Sequence, residues 1–135
     1  RVFQEIGDPI VPDLHLIDLG RPPAGGANAA HELLTANTPR TAILRLSDVL
    51  ALEVLFEADR LGASVPRDLS VMGFDNLEWS AHAHPWLTTI CLPVEEMGTS
   101  AAAAVIERLE KGTVIASRLF AGEIIIRGTT APPSA

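Results

Sequence analysis

The sequence predicts an α/β fold of three layers, a parallel sheet covered on both faces by helices. Three observations carry this expectation. Strand-like and helix-like stretches alternate along all 135 residues. The runs at 41–46 and 69–74 are rich in residues that suit a buried parallel sheet. Glycine or proline punctuates nearly every junction between them.

Residues 1–6 read as the end of a helix, closed by Gly7 with Pro9 beyond it. Residues 15–19 form a first short strand, and 21–26, with paired prolines and glycines, a loop. A helix comes next over 28–36, with Ala29, Ala30, Leu33 and Leu34 on its apolar face. The second strand is 41–46. Asp48 stands at the N-cap position of a helix that runs to about residue 61, where Gly62 stops it. Leu50, Val54, Leu55 and Ala58 recur there at helical spacing. The Val65-Pro66 turn announces a third strand over 69–74, and 76–85 is irregular. A fourth strand spans 87–92, a helix 94–111 ends at Gly112, and a last strand covers 123–127 before a proline-rich tail. The alanine run at 101–104 suits a helix.

Composition excludes several function classes. A hydrophobic content of 47% supports a real core and argues against disorder. No apolar run approaches the roughly 18 residues of a membrane span. The net charge of −7, with few and scattered basic residues, weighs against nucleic-acid binding by this segment. Cys91 is the single cysteine, so an intrachain disulfide and a multi-cysteine zinc site are excluded. A lone thiol fits a reducing cytoplasm. The opening at Arg1 rather than at a methionine reads as a fragment.

In open parallel α/β sheets, ligands bind beyond the carboxyl ends of the strands. That rule selects Ser47 and Asp48 after the second strand and Asp75 after the third. A carboxylate accepts hydrogen bonds through two oxygens and can clamp neighbouring hydroxyls of a sugar or nucleoside. Asp48 as a helix cap and Asp75 as a turn residue are the alternatives. Arg21, at the mouth of the first strand, is a candidate contact for an anionic ligand beside its reading as a plain surface arginine. His82 and His84 lack a third metal ligand in sequence and read as loop residues. Trp79 and Trp86 suit packing or a subunit contact better than stacking on a sugar. Gly25-Gly26 lacks the lysine of a phosphate loop, and no nucleophile elbow or Ser/His/Asp set is present. No catalytic residue, metal or cofactor is expected.

The stretch Val65-Pro66-Arg67-Asp68-Leu69-Ser70-Val71-Met72-Gly73-Phe74-Asp75-Asn76 closely resembles the lactose/galactose repressor family of bacterial transcription regulators. So do Pro85-Trp86-Leu87-Thr88-Thr89-Ile90, followed by Pro93 and Glu96-Met97-Gly98, and the ending Ile125-Ile126-Arg127-Gly128-Thr129-Thr130. Their order and spacing agree from about residue 39 to 130.

The resemblance implies a Rossmann-like subdomain of a periplasmic-binding-protein-like fold, in which an effector sits between two α/β subdomains. It implies a homodimer whose geometry the effector changes, with DNA bound only by an upstream headpiece absent from this chain. Asp75 matches the aspartate that contacts effector hydroxyls, and Asp48 the acidic residue after the second strand, where a cap is favoured over direct contact. Residues 94–111 correspond to a helix of the amino-terminal subdomain. Self-association is expected through the helix after Asp48 and the loop after Asp75; in that helix Leu50, Leu52, Val54, Leu55 and Phe56 spread apolar surface over more than one face.

Several positions depart from the family pattern. Ser47 replaces a common asparagine, Leu92 stands where a polar residue is common, and Pro22 or Pro23 takes the place of a loop aromatic. The cleft arginine of the family lies upstream of Arg1. The main rival function is an exported sugar-binding protein of the same architecture; an enzyme on a doubly wound sheet is a third class. The Gly73-Phe74-Asp75 and Leu87-Thr88-Thr89-Ile90 wording favours the regulator.

Overall fold

The computed structural model describes residues 25–36 and 41–132, and of residues 25–29 the backbone only. The helix end at 1–6, the strand at 15–19 and Arg21 lie outside the described residues. In chain order the elements are α1 (Gly25–Thr35), β1 (Ala42–Leu44), α2 (Asp48–Arg60), β2 (Ser70–Met72), a 3-10 turn (Glu78–Ala81), β3 (Thr89–Cys91), α3 (Val94–Lys111) and β4 (Glu123–Ile125).

β1 and β2 run parallel with Ile43 opposite Val71, and Met72 is bridged in parallel to Thr88. β3 then pairs antiparallel with β4, Ile90 opposite Ile124. The expected parallel sheet therefore closes on an antiparallel pair. Each strand is shorter than its apolar run suggests, because the ladder frays into single bonds beyond it. Arg45 N–H donates to Met72 O at 2.9 Å, Gly73 N–H to Thr88 O at 2.9 Å and Asp75 N–H to Ile90 O at 2.9 Å. Those bonds keep the strand ends together at the carboxyl edge of the sheet.

α2 covers the sheet and α1 packs on α2. Ala51, Val54 and Ala58 on α2 are buried against Ile43, Leu69, Val71 and Leu87, with Ala30 of α1 beside them. The helical spacing of those α2 residues puts them on one face. α1 begins at Gly25, three positions before the expected start at 28. A first helical turn has no internal N–H bonds to lose, so glycines cost least there.

α2 is closed at both ends by its own sequence. Ser47, not Asp48, is the N-cap: its backbone is extended and its hydroxyl accepts from Val49 N–H at 3.2 Å. At the far end Gly62 adopts a φ of 75°, where a side chain would be strained. Its N–H donates to Asp59 O at 3.0 Å and the Ala63 N–H to Ala58 O at 2.9 Å, the paired bonds of a Schellman stop.

Between α1 and α2 lies a nearly buried acid. Glu57 is 7% exposed and receives Arg60 through Nε at 2.8 Å and Nη2 at 2.5 Å, with His31 Nδ1 2.7 Å from Oε1. Hydrogen bonds from Arg60 first, and His31 second, hold its carboxyl at about 2. Arg45, directly after β1, is buried near Glu53; burial lowers its pKa and the Glu53 charge opposes that shift.

α3 is built to be stable but not to be covered by this unit. Glu95 and Glu96 sit in its first turn and Arg108 and Lys111 in its last, matching the helix dipole. Gly112 ends it with a φ of 68°. None of its residues is buried, and Met97, Val105 and Leu109 are 36%, 50% and 80% exposed.

Candidate functional site

The carboxyl ends of β1 and β2 meet where the sequence points. Asp48 N–H donates to Phe74 O at 2.8 Å, which seats the β1–α2 corner against the segment entering Asp75. Ser47, half-buried, and Asp75, exposed, thus come from neighbouring strand ends. Arg21 lies outside the described residues.

Asp48 faces inward. It is fully buried, and Oδ1 accepts from the Thr89 hydroxyl at 2.5 Å, while Oδ2 accepts from Leu77 N–H at 2.8 Å and from the Ser80 hydroxyl. Those donors come from the segment after β2 and from β3, so one carboxylate ties both parts of the chain to the start of α2. Its negative charge there also complements the helix dipole. No oxygen of Asp48 remains open to a ligand.

Asp75 has the opposite character. Its backbone takes a φ of 109° and that of Asn76 a φ of 52°. A non-glycine residue held there costs on the order of 1–3 kcal/mol and persists only where its surroundings over-determine it. The surroundings are explicit. Asp75 N–H is bonded to Ile90 O at 2.9 Å, Asn76 N–H reaches the Thr89 hydroxyl at 3.3 Å, and Arg127 Nη2 donates to Asn76 Oδ1 at 2.6 Å. Among the described residues the Asp75 carboxylate has no protein hydrogen-bond partner.

Behind this turn lies a threonine network. Thr129, fully buried, donates its hydroxyl to Val71 O at 2.7 Å and accepts from Thr88 N–H at 2.8 Å. Thr88 Oγ1 lies 3.0 Å from Thr130 Oγ1 and accepts from Arg127 N–H at 2.9 Å. Reading motifs singled out Asp75 and missed Thr89, Asn76 and Arg127 as its supports. The signal was present, since all three stand inside the resemblance motifs, but spacing alone does not reveal that they converge.

The other candidates within the described residues are solvent-exposed. Trp79 and Trp86 are 72% and 56% exposed, and His82 and His84 are exposed. No group of three or more metal-binding side chains occurs among the described residues. A cavity of about 340 Å³ lies at the amino ends of β1 and β2, between Thr41, Arg67, Asp68 and Ser70. Its polar groups already satisfy one another: Arg67 Nε donates to Asp68 Oδ1 at 2.9 Å, and the Ser70 hydroxyl to Ala131 O at 3.2 Å. No helix among the described residues is long and apolar enough to cross a membrane.

Comparison with known proteins identifies the family. The chain is 42% identical over 106 residues to the transcriptional repressor CytR of Escherichia coli, covering 78% of this chain and 31% of that protein. It is 38% identical over 87 residues to the repressor PurR of Yersinia enterocolitica, covering 64% of this chain and 26% of that protein. The chain thus spans less than a third of these relatives. A LacI family regulator from Enterococcus faecium, solved with bound ribose, superimposes with a TM-score of 0.72 at 29% identity, over 82% of this chain and 41% of that one. Residues 3–130 match the family described as the periplasmic binding protein-like domain. The chain belongs to that family, in the form of the domain carried by LacI-type transcriptional regulators.

Proposed function

We propose that this chain is the carboxyl-terminal part of the effector-sensing and dimerisation module of a bacterial LacI-type regulator. It binds a small hydroxyl-bearing molecule, a sugar or a nucleoside, and occupancy modulates DNA binding by an upstream helix-turn-helix. Asp75 accepts hydrogen bonds from ligand hydroxyls, Ser47 offers a short hydroxyl from the neighbouring strand end, and Asp48 holds the turn from within. Arg21 is a cationic contact for any anionic group of the ligand. The protein acts in the cytoplasm as a homodimer, without catalysis, cofactor, metal or membrane. α3 belongs with the amino-terminal subdomain, a placement supported by its lack of any buried residue.

One observation carries the ligand reading: an exposed aspartate at the carboxyl end of β2, held at a φ of 109° with its carboxylate unpartnered by the described residues. The ribose bound in the Enterococcus faecium regulator supports the ligand class. The exported-binding-protein alternative has no comparable support, since the relatives named above are repressors. A thermal-shift panel of free sugars and nucleosides on the intact protein, followed by calorimetry on Asp75→Asn, tests the reading. A hydroxylated ligand whose affinity falls in the variant supports it; equal affinity rejects it.

A further inference from the structure

We infer that Arg127 is a positioning residue for Asp75, setting effector affinity through the side chain of Asn76 without touching the ligand. The inference rests on the reading of Asp75 as a ligand contact.

The guanidinium is half-buried and spans two parts of the site. Nη1 donates to Leu87 O at 2.8 Å and Nη2 to Asn76 Oδ1 at 2.6 Å, while the backbone N–H of Arg127 donates to Thr88 Oγ1 at 2.9 Å. Leu87 and Thr88 lead into β3, so the arginine is anchored to the sheet before it reaches the turn. A guanidinium offers only donors, which fixes the Asn76 amide with its oxygen inward. The planar fork reaches both acceptors at once, which the single ammonium of a lysine does not reproduce.

That anchoring matters because Asp75 does not hold its own conformation. The residue has an unfavourable φ of 109°, and its side chain makes no bond that would keep it there. Its amide is tied to Ile90 O, but the chain leaving it is held by Asn76, at a φ of 52°. Asn76 N–H makes a long contact of 3.3 Å to Thr89, whereas its side chain makes the short charge-assisted one to Arg127. Removing the arginine leaves the exit of the turn on its weaker bond. Asp75 then samples ordinary backbone conformations, and its carboxylate leaves the direction in which it meets hydroxyls. A misplacement of that kind lowers affinity although no ligand contact has been deleted.

Hydrogen exchange on the intact protein reads this directly and needs no ligand. Arg127→Met should speed exchange of the Asp75 amide by about tenfold or more, the loss expected of a charge-assisted hydrogen bond. The amides of Val71 and Val54 should stay as slow as in wild type. Asn76→Gly keeps a residue at ease with positive φ but removes the acceptor, so it should have the same effect, and the double variant should be no faster than either. Unchanged exchange at Asp75, or a uniform rise that includes Val71, overturns the inference. Titration with D-ribose separates the two readings. Arg127→Met should weaken binding in wild type and change nothing further in Asp75→Asn. If Asp75→Asn binds as tightly as wild type, the role of Asp75 falls while the exchange result stands. If Asp75→Asn weakens binding and Arg127→Met does not, the positioning role alone falls.

Discussion

A Cβ placed on Gly73 would collide with Oδ1 of Asp48, and would stand 3.2 Å from the Asp48 Cα and 3.0 Å from Leu87 Cδ2. The glycine is required by closeness, not by backbone angle. Gly73→Ala should therefore cost about 1–3 kcal/mol, as overpacking does. Denaturant midpoints check this, and an unchanged midpoint shows that the Asp48 carboxylate can retreat without loss.

Asp48 and Asp75 should separate cleanly as Asn variants. Asp48→Asn replaces an acceptor that serves Thr89, Leu77 and Ser80 by a group that turns a donor towards donors. A stability loss of about 1–3 kcal/mol is expected from leaving such buried groups unpaired. Asp75→Asn should leave thermal stability near wild type but weaken effector binding by about 1.5–3 kcal/mol. Unfolding curves and calorimetry on both variants decide; a stability loss at Asp75 as large as that at Asp48 contradicts the division of labour.

Glu57 links α1 to α2 in a pH-dependent way. Its folded-state pKa, about 2, lies below the ordinary carboxyl value of 4.5. Its contribution is complete above the unfolded value and is lost as pH falls from about 4.5 through about 2. Glu57→Gln should flatten the acid side of the stability curve in that window and leave the curve above pH 6 parallel to wild type. Equal acid slopes would place the loss on other carboxyls, Asp68 foremost, which Arg67 and Ser64 also hold at about 2.

Phe56 projects from α2 at 77% exposure, with Val49 at 53% on the same helix. If this face joins two copies, Phe56→Asp should raise the dissociation constant at least tenfold, because burying an unpaired charge opposes association. Sedimentation at several concentrations measures it, and unchanged association places the contact elsewhere.

α3 should be the element that behaves least like the rest. In a dilute monomeric sample of this chain its amides should exchange faster than those of β2, since no residue of α3 is buried while Val71 is fully buried. Equal protection would contradict its assignment to the other subdomain.

Much of the fold was legible in the residues. The helix and strand positions derive from apolar period and from Gly62 and Gly112, and Asp75 was reachable from the rule about strand ends. Ser47 and Asp48 were harder. Either can cap a helix, and only the fold shows that the serine does so while the aspartate turns inward to Thr89. Gly73 looked like part of a motif and carries no periodic signal; its meaning is a distance to a residue 25 positions earlier. Arg127 was hidden for the same reason, since its partners Asn76 and Leu87 lie 51 and 40 positions away.

Thr129 imposes an order of assembly. Its backbone and hydroxyl oxygens engage Val71, 58 positions earlier, on an edge of β2 that nothing nearer in the chain completes at that point. During synthesis β2 therefore leaves the ribosome with its Val71 N–H unanswered and waits for more than fifty further residues. Closing a loop of that length precedes any gain from the contact, which slows folding and lengthens the interval in which an apolar strand edge is open. At roughly 5–20 residues per second that interval lasts about 3–12 seconds, long enough for a chaperone or a neighbouring nascent chain to reach the edge first.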